Sequence, residues 1–243
     1  MTTEAQAQAR SYFPAADVAL HDNGVRVESY WRDDTEVRLS AVPPGAQVPD
    51  RPRGQAQVGM VVQGRLSATV GEVTRLMEPE RQVCVAPPGV GFSAVNPTDS
   101  EAVLLELRRN KPGESYPAPG SYFLEAFESR KFVGMDVTFF VADWIEFMIA
   151  DIPGGGEMPY HRHSHEQIGI CLEGRYDMTV EESSHELRFG GTYFCASQEG
   201  HGAVNPHADV ARSVNIFIPP RYHRVPGQKV QKGGRQENER KNR

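Results

Sequence analysis

One segment of this chain occurs twice. Arg51 to Val70 reads RPRGQAQVGMVVQGRLSATV, His161 to Val180 reads HRHSHEQIGICLEGRYDMTV, and the two align without a gap. Gln57 falls on Gln167, Gly59 on Gly169, Gly64 on Gly174 and Arg65 on Arg175. Downstream, Ala94-Val95-Asn96-Pro97 matches Ala203-Val204-Asn205-Pro206. Such a repeat in 243 residues implies two tandem copies of one fold, each of about 100 to 120 residues. The 23 glycines and 18 prolines tend to separate short Val/Ile/Phe-rich runs, which predicts strands and turns in both copies.

The copies differ in chemistry. Where the second has His161 and His163, the first has Arg51 and Arg53, and where the second offers His201 the first offers Phe92 or its neighbour Ser93. In an extended strand, residues two apart face the same side, so His161, His163, His165 and Gln167 share one face. His201 follows a turn-like Gln198-Glu199-Gly200, and its strand could run back beside the first. Two imidazoles from one strand, a third from a neighbour and one oxygen donor make a four-ligand metal site. Strand parity sends Glu166 to the other face, so Gln167 is the expected oxygen donor. Three imidazoles and an amide leave a divalent cation its full charge, which favours an anionic ligand. Imidazole suits several transition metals, so the donor set does not name one. His165 is either a support for the ligands or an outward residue, and His185 and His207 sit in polar, turn-like contexts.

In the first copy, guanidinium has no lone pair to donate, so Arg51 and Arg53 exclude a metal there. That copy is expected to shield or brace the other; a pocket for anions is the second reading of its arginines.

Composition removes several other classes. Three cysteines, Cys84, Cys171 and Cys195, argue against a disulfide framework and for a reducing, cytoplasmic setting. The opening MTTEAQAQARSYF lacks the apolar core of a secretory signal. The most apolar run, Val137 to Ile152, is broken by Asp143, Glu146 and Asp151, so no membrane span is expected. A net charge of −6 disfavours nucleic acid. The expected organisation is disorder over 1–11, a first copy over 12–128, a second over 129–226, and a disordered basic tail over 227–243. The spacing of Phe123, Leu124 and Phe127 predicts a short helix over Tyr122–Lys131.

Gly156, His161, His163, Gln167 and Gly174, followed by His201 and Asn205, resemble the signature of the cupin superfamily. That likeness implies an all-β bicupin of two tandem antiparallel β-barrels (double-stranded β-helices) with metal inside a barrel mouth. Longer stretches, among them QVGMVV, EQIGIC, YDMTVE and PPRY, resemble the bicupin isomerases of bacilysin biosynthesis from Tyr12 to about Arg224. What this implies is a metal-dependent isomerase that shifts a ring double bond in a dihydro-4-hydroxyphenylpyruvate, a 2-oxo acid. The family's ligands carry over to His161, His163, Gln167 and His201, with one divalent cation, Fe2+ or Co2+ first, then Ni2+, Zn2+ or Mn2+. The family's first barrel also holds a metal; here only Gln57 remains of that set. Tyr222 of PPRY is the expected substrate contact, with Arg221 beside it, and Trp144, Tyr160 and Phe217 are candidates for an apolar wall. A monomer or homodimer is expected. A cupin oxygenase on a 2-oxo acid and a non-catalytic binding cupin are the competing readings.

Overall fold

In the computed structural model, residues 11–49, 54–109, 122–142, 144–223 and 231–232 are described. Every strand pair is antiparallel, and no helix occurs among these residues. In the first half, a seven-stranded sheet has the order Asp17–Leu20, Arg26–Arg32, Thr35–Val42, Ala102–Arg109, Ala56–Gln63, Gln82–Ala86, Phe123–Glu125. It packs against a three-stranded sheet of Val73–Met77, Leu66–Val70 and Phe92–Val95. The second half repeats the plan. Its six-stranded sheet runs Glu128–Phe132, Met135–Val141, Glu146–Ile152, Ala211–Ile218, Glu166–Glu173, Thr192–Cys195, and its four-stranded partner Glu157–His161, His201–Val204, Arg175–Val180, Ser183–Arg188.

Strands at the centre of the larger sheets are buried on both faces, and period-two alternation divides their side chains between two cores. In Glu166–Glu173, the even positions Ile168, Ile170 and Leu172 pack between the halves, against Leu105, Leu107 and Val58 of the first. The odd positions Gln167, Gly169 and Cys171 face the interior of their own barrel, where Tyr176, Tyr193 and Phe217 lie. Val61, Leu66 and Leu104 fill the matching interior of the first half. The shared core is extensive, and each large apolar side chain buried in it contributes about 1.5–3 kcal/mol.

The helix expected over Tyr122–Lys131 is instead two strands. Phe123 pairs with Cys84 in the first half's sheet, and Glu128 pairs with Phe139 in the second's. A helix of ten residues is marginal alone, and here the edge strands on either side take the segment's backbone groups. Of the tail, Gln231–Lys232 pairs with Tyr222–His223, so the disorder expected from 227 onward does not hold at those two residues. The rest of the tail, residues 1–10 and the Pro112–Pro119 connector lie outside the described residues. Near the start of the chain, the Tyr12 carbonyl accepts the Phe194 N–H and Phe13 stacks on His185, so residues assigned to the first copy pack on the second.

Candidate metal centre

His161 ends one strand and His201 begins the next, and the two are direct cross-strand partners. The strand does not continue to Gln167 as parity assumed. It stops at His161, bends at Ser164–His165, and a new strand begins at Glu166. Gln167 still faces inward, because the odd positions of that new strand face the barrel interior, whereas Glu166 turns to an ion pair with Arg109 at 2.9 Å.

Each imidazole is oriented by a bond to its far nitrogen. Nδ1 of His161 lies 2.8 Å from the Pro159 carbonyl, Nδ1 of His163 2.9 Å from that of His165, and Nδ1 of His201 3.0 Å from that of Glu199. A carbonyl only accepts, so each Nδ1 carries the proton and each Nε2 keeps its lone pair. The ring centroids of His161 and His163 lie 4.4 and 4.8 Å from that of His201. Nε2 of His163 and Nε2 of His201 each sit 3.0 Å from Oε1 of Gln167. That oxygen is oriented in turn, since the Gln167 amide nitrogen donates to the Tyr193 hydroxyl and, at 3.1 Å, to Asn215 Oδ1. The Tyr193 hydroxyl donates to Asn215 Oδ1 at 2.8 Å, and the Asn215 amide to Ser213 at 3.0 Å. The cluster is therefore a convergence of lone pairs with no donor among them. The residues fit a bound cation, which turns those contacts from repulsive to attractive. Among the described residues, His161, His163 and His201 are the only group of three or more His, Cys, Asp or Glu spaced to share a metal ion.

Burial pushes the His201 imidazole down to about 4 and lowers that of His163 as well, so both resist protonation in mildly acid solution. Between the ordinary 6.5 and about 4, the unfolded chain binds a proton at His201 that the folded chain refuses. The metal-free protein is thus expected to lose stability as pH falls through this window, by about 2–3 kcal/mol. Urea denaturation at pH 4.5, 5.5 and 7 checks this: His201→Phe should flatten the slope, and an unchanged slope would remove His201 as its source.

A cavity of about 290 Å³ is lined by His161, His163, Gln167, Met148, Phe217 and Arg221, with Phe132, Val133 and Met158 adding apolar wall. Arg221 sits over Phe217, its guanidinium carbon 3.4 Å from the ring centroid. Glu146, fully buried, grips it by Nε at 3.0 Å, by Nη2 at 2.5 Å and by its backbone N–H at 2.8 Å. Nη1 takes no part in these bonds. Tyr222, expected at the substrate, is not among the cavity's lining residues. It packs against Phe127 and Phe139, with Arg130 bonded to its hydroxyl, and its neighbour Arg221 lines the cavity instead. Phe217 forms part of the wall; Trp144 packs between the halves, and Tyr160 is 53% exposed.

The first half shows what replaces such a cluster. Val70 pairs with Phe92 as Val180 pairs with His201, so the register selects Phe92 over Ser93. Gln57 pairs with Arg108 where Gln167 pairs with Phe217, and its amide nitrogen donates to buried Glu106, which also accepts from Arg108 at 3.1 Å. A buried ion pair stands where the second half has its cavity. Arg51 and Arg53 lie outside the described residues.

Tyr193, Asn215 and Glu146 carry no pattern that marks them in the sequence, and Arg221 stands there only beside Tyr222. One signal did exist: a glycine inside a strand, Gly169, marks a close approach, here by the Tyr193 ring.

Two antiparallel barrels in tandem, one with three imidazoles converging in its interior, define a bicupin. Residues 148–217 match the cupin domain family. Over 233 residues, 95% of this chain and 98% of the relative, the chain is 48% identical to the H2HPP isomerase of Bacillus subtilis. Two solved structures share the fold: AerE from Microcystis aeruginosa, with a TM-score of 0.79 at 23% identity over 85% of this chain and 98% of that one, and an oxalate decarboxylase from Lactobacillus farciminis in its formate complex, with 0.70 at 13% identity over 84% of each. The chain belongs to the cupin superfamily and, within it, to the family of the H2HPP isomerase.

Proposed function

We propose that this chain is a metal-dependent isomerase that moves a ring double bond of a dihydro-4-hydroxyphenylpyruvate into conjugation with its 2-oxo acid side chain. The observation that carries the reading is the donor-free convergence of His161, His163, His201 and Gln167 at an apolar cavity, in a chain with 48% identity to an H2HPP isomerase. One divalent cation per chain, Fe2+ or Co2+, is the cofactor this reading assigns, with Ni2+, Zn2+ and Mn2+ also suited to imidazole and amide donors. We place the reaction in the biosynthesis of a bacilysin- or anticapsin-type analogue of tyrosine, and the protein in the cytoplasm, where its free and buried cysteines suit a reducing setting.

The bound cation supplies Lewis acidity toward the oxygens of the 2-oxo acid. The neutral Gln167 leaves the cation's charge undiminished. Met148, Phe217, Phe132 and Met158 surround the ring with apolar surface and exclude water from it. Among the described residues, the cavity wall contains no Asp, Glu, Tyr, Cys or Lys. This reading assigns no side chain to the proton that leaves the side-chain CH₂ or to the one that returns to the ring. The reaction is redox-neutral and consumes no second substrate.

Arg221 is the wall's fixed positive group, and its Nη1 is free for an oxygen anion of the substrate. Arg221→Met is expected to raise KM about ten- to hundredfold, the value of one charge-assisted hydrogen bond, while the affinity for Co2+ holds. Steady-state kinetics beside a cobalt titration checks this; an unchanged KM would remove Arg221 from the substrate's contacts.

The reading is tested by ultraviolet spectroscopy of the metal-reconstituted protein with the non-conjugated dihydro compound, under argon and in air. A red-shifted product under argon supports isomerisation. Turnover that needs air would make the protein an oxygenase, and no turnover in either would leave a binding protein.

A further inference from the structure

The first half has no imidazole cluster among its described residues, yet two of its arginines hold residues that flank the second half's cluster in sequence. Arg32 ends the strand Arg26–Arg32 and grips the Glu199 carboxylate with both Nη atoms, at 3.0 and 3.2 Å, while Nη1 also donates to the Phe194 carbonyl at 2.7 Å. Glu199 lies two residues before His201. Its carbonyl is the group that fixes His201 Nδ1, and its carboxylate also accepts the Ala196 N–H at 2.6 Å. Arg109 ends the strand Ala102–Arg109 and holds Glu166, the residue before Gln167, at 2.9 Å.

The two loops gripped in this way are joined to each other. The Gln198 N–H donates to the His163 carbonyl at 2.8 Å, and Arg162 donates to the Gln198 carbonyl at 2.8 Å. Gln198 sits at φ +70°, a left-handed conformation that a non-glycine residue keeps only where its surroundings impose it. The Arg32 and Glu199 side chains are 15% and 23% exposed, so their two-pronged pair is less screened than a surface pair. A ligand imidazole points where the bond at its other nitrogen sends it, and the Glu199 carbonyl is placed only as firmly as the turn that carries it.

We propose that Arg32 and Arg109 are positioning residues of the metal centre, and that the first barrel, having exchanged its own centre for an ion pair, serves as the brace of the second. The proposal rests on the reading of His161, His163, Gln167 and His201 as metal ligands. The experiment uses the full chain and Co2+ alone. Affinity is measured by competition with a chelator, and geometry by the cobalt d–d absorption band. Arg32→Met and Arg109→Met are expected to bind Co2+ about ten- to hundredfold more weakly, with an altered band, and Arg32→Lys and Arg109→Lys to fall between them and the wild type. Arg26→Met, which removes a surface ion pair with Glu28 from the same strand as Arg32, is the control and should leave both readings unchanged. If the Met variants fail to fold, the Lys variants carry the same comparison. Wild-type binding with variants inside twofold of it and an identical band would overturn the brace and leave the metal reading standing. A wild type that binds no Co2+ would take down the metal reading, and the brace with it.

Discussion

His201→Ala is expected to leave the protein folded and without measurable isomerisation. His201 is fully buried, its Nδ1 is held by the Glu199 carbonyl, and its Nε2 faces Gln167 Oε1. Removing it takes away one of the three imidazoles that converge on the site. A Lewis acid at such a centre contributes several kcal/mol to the barrier. At about 1.4 kcal/mol per factor of ten, its loss lowers kcat/KM at least about a thousandfold. Stability of the metal-free form should change little, because the substitution also relieves a contact between lone pairs. His207→Ala serves as the control: that imidazole lies 3.4 Å from Glu186, away from the cluster, and should keep its activity. The ultraviolet assay decides. If His201→Ala retained a tenth of the wild-type rate, the cluster would not be the centre of the reaction.

Gly169→Ala is expected to damage the site without touching a ligand. A Cβ at Gly169 would stand 2.0 Å from Cε1 and 2.4 Å from Cζ of Tyr193, its direct cross-strand partner. The ring must move, and its hydroxyl goes with it, leaving the Gln167 amide and Asn215 without that partner inside the barrel. Overpacking and broken buried hydrogen bonds together cost about 3–4 kcal/mol. Gln167 Oε1 loses its aim, and Co2+ affinity should fall by about a factor of ten or more. The repeat supplies the comparison. A Cβ at Gly59 would meet the Cys84 sulfur at 3.0 Å, and a thiol yields more readily than a ring, so Gly59→Ala should cost about 1 kcal/mol and leave cobalt binding intact. Denaturation and cobalt titration of both variants give the answer. Wild-type affinity in Gly169→Ala would mean that Tyr193 does not set the direction of Gln167.

Gln167 and Tyr222 show how far local pattern reaches. Parity placed Gln167 inside and Glu166 outside, and both lie there, although the single regular strand assumed from His161 to Gln167 is interrupted. The bend at Ser164–His165 is held by His163, whose Nδ1 bonds to the His165 carbonyl and whose own carbonyl accepts Gln198 from the turn ahead of His201. Nothing in the segment itself announces that turn. The PPRY resemblance points to Tyr222 as the substrate contact, with Arg221 only beside it. The two side chains are adjacent, and Glu146, 75 residues earlier, decides which of them faces the cavity. The aromatic spacing around Phe123 and Phe127 read as a helix for a similar reason. The pattern of one short segment carries no information about the two sheet edges that compete for its backbone.

The duplication, the β-rich fold and the four residues of the cluster were written in the chain itself, because each depends on residue identity at a fixed spacing and survives without knowledge of the partner. The shared core could be read only as hydrophobic strand positions, since their division between two barrels needs both sheets in place. The orientation of each imidazole, the ring of Tyr193 across Gly169, and the reach of Arg32 and Arg109 into the other half were decided by tertiary structure alone. These are contacts between residues up to 167 positions apart, and such a contact is set by how the two barrels meet.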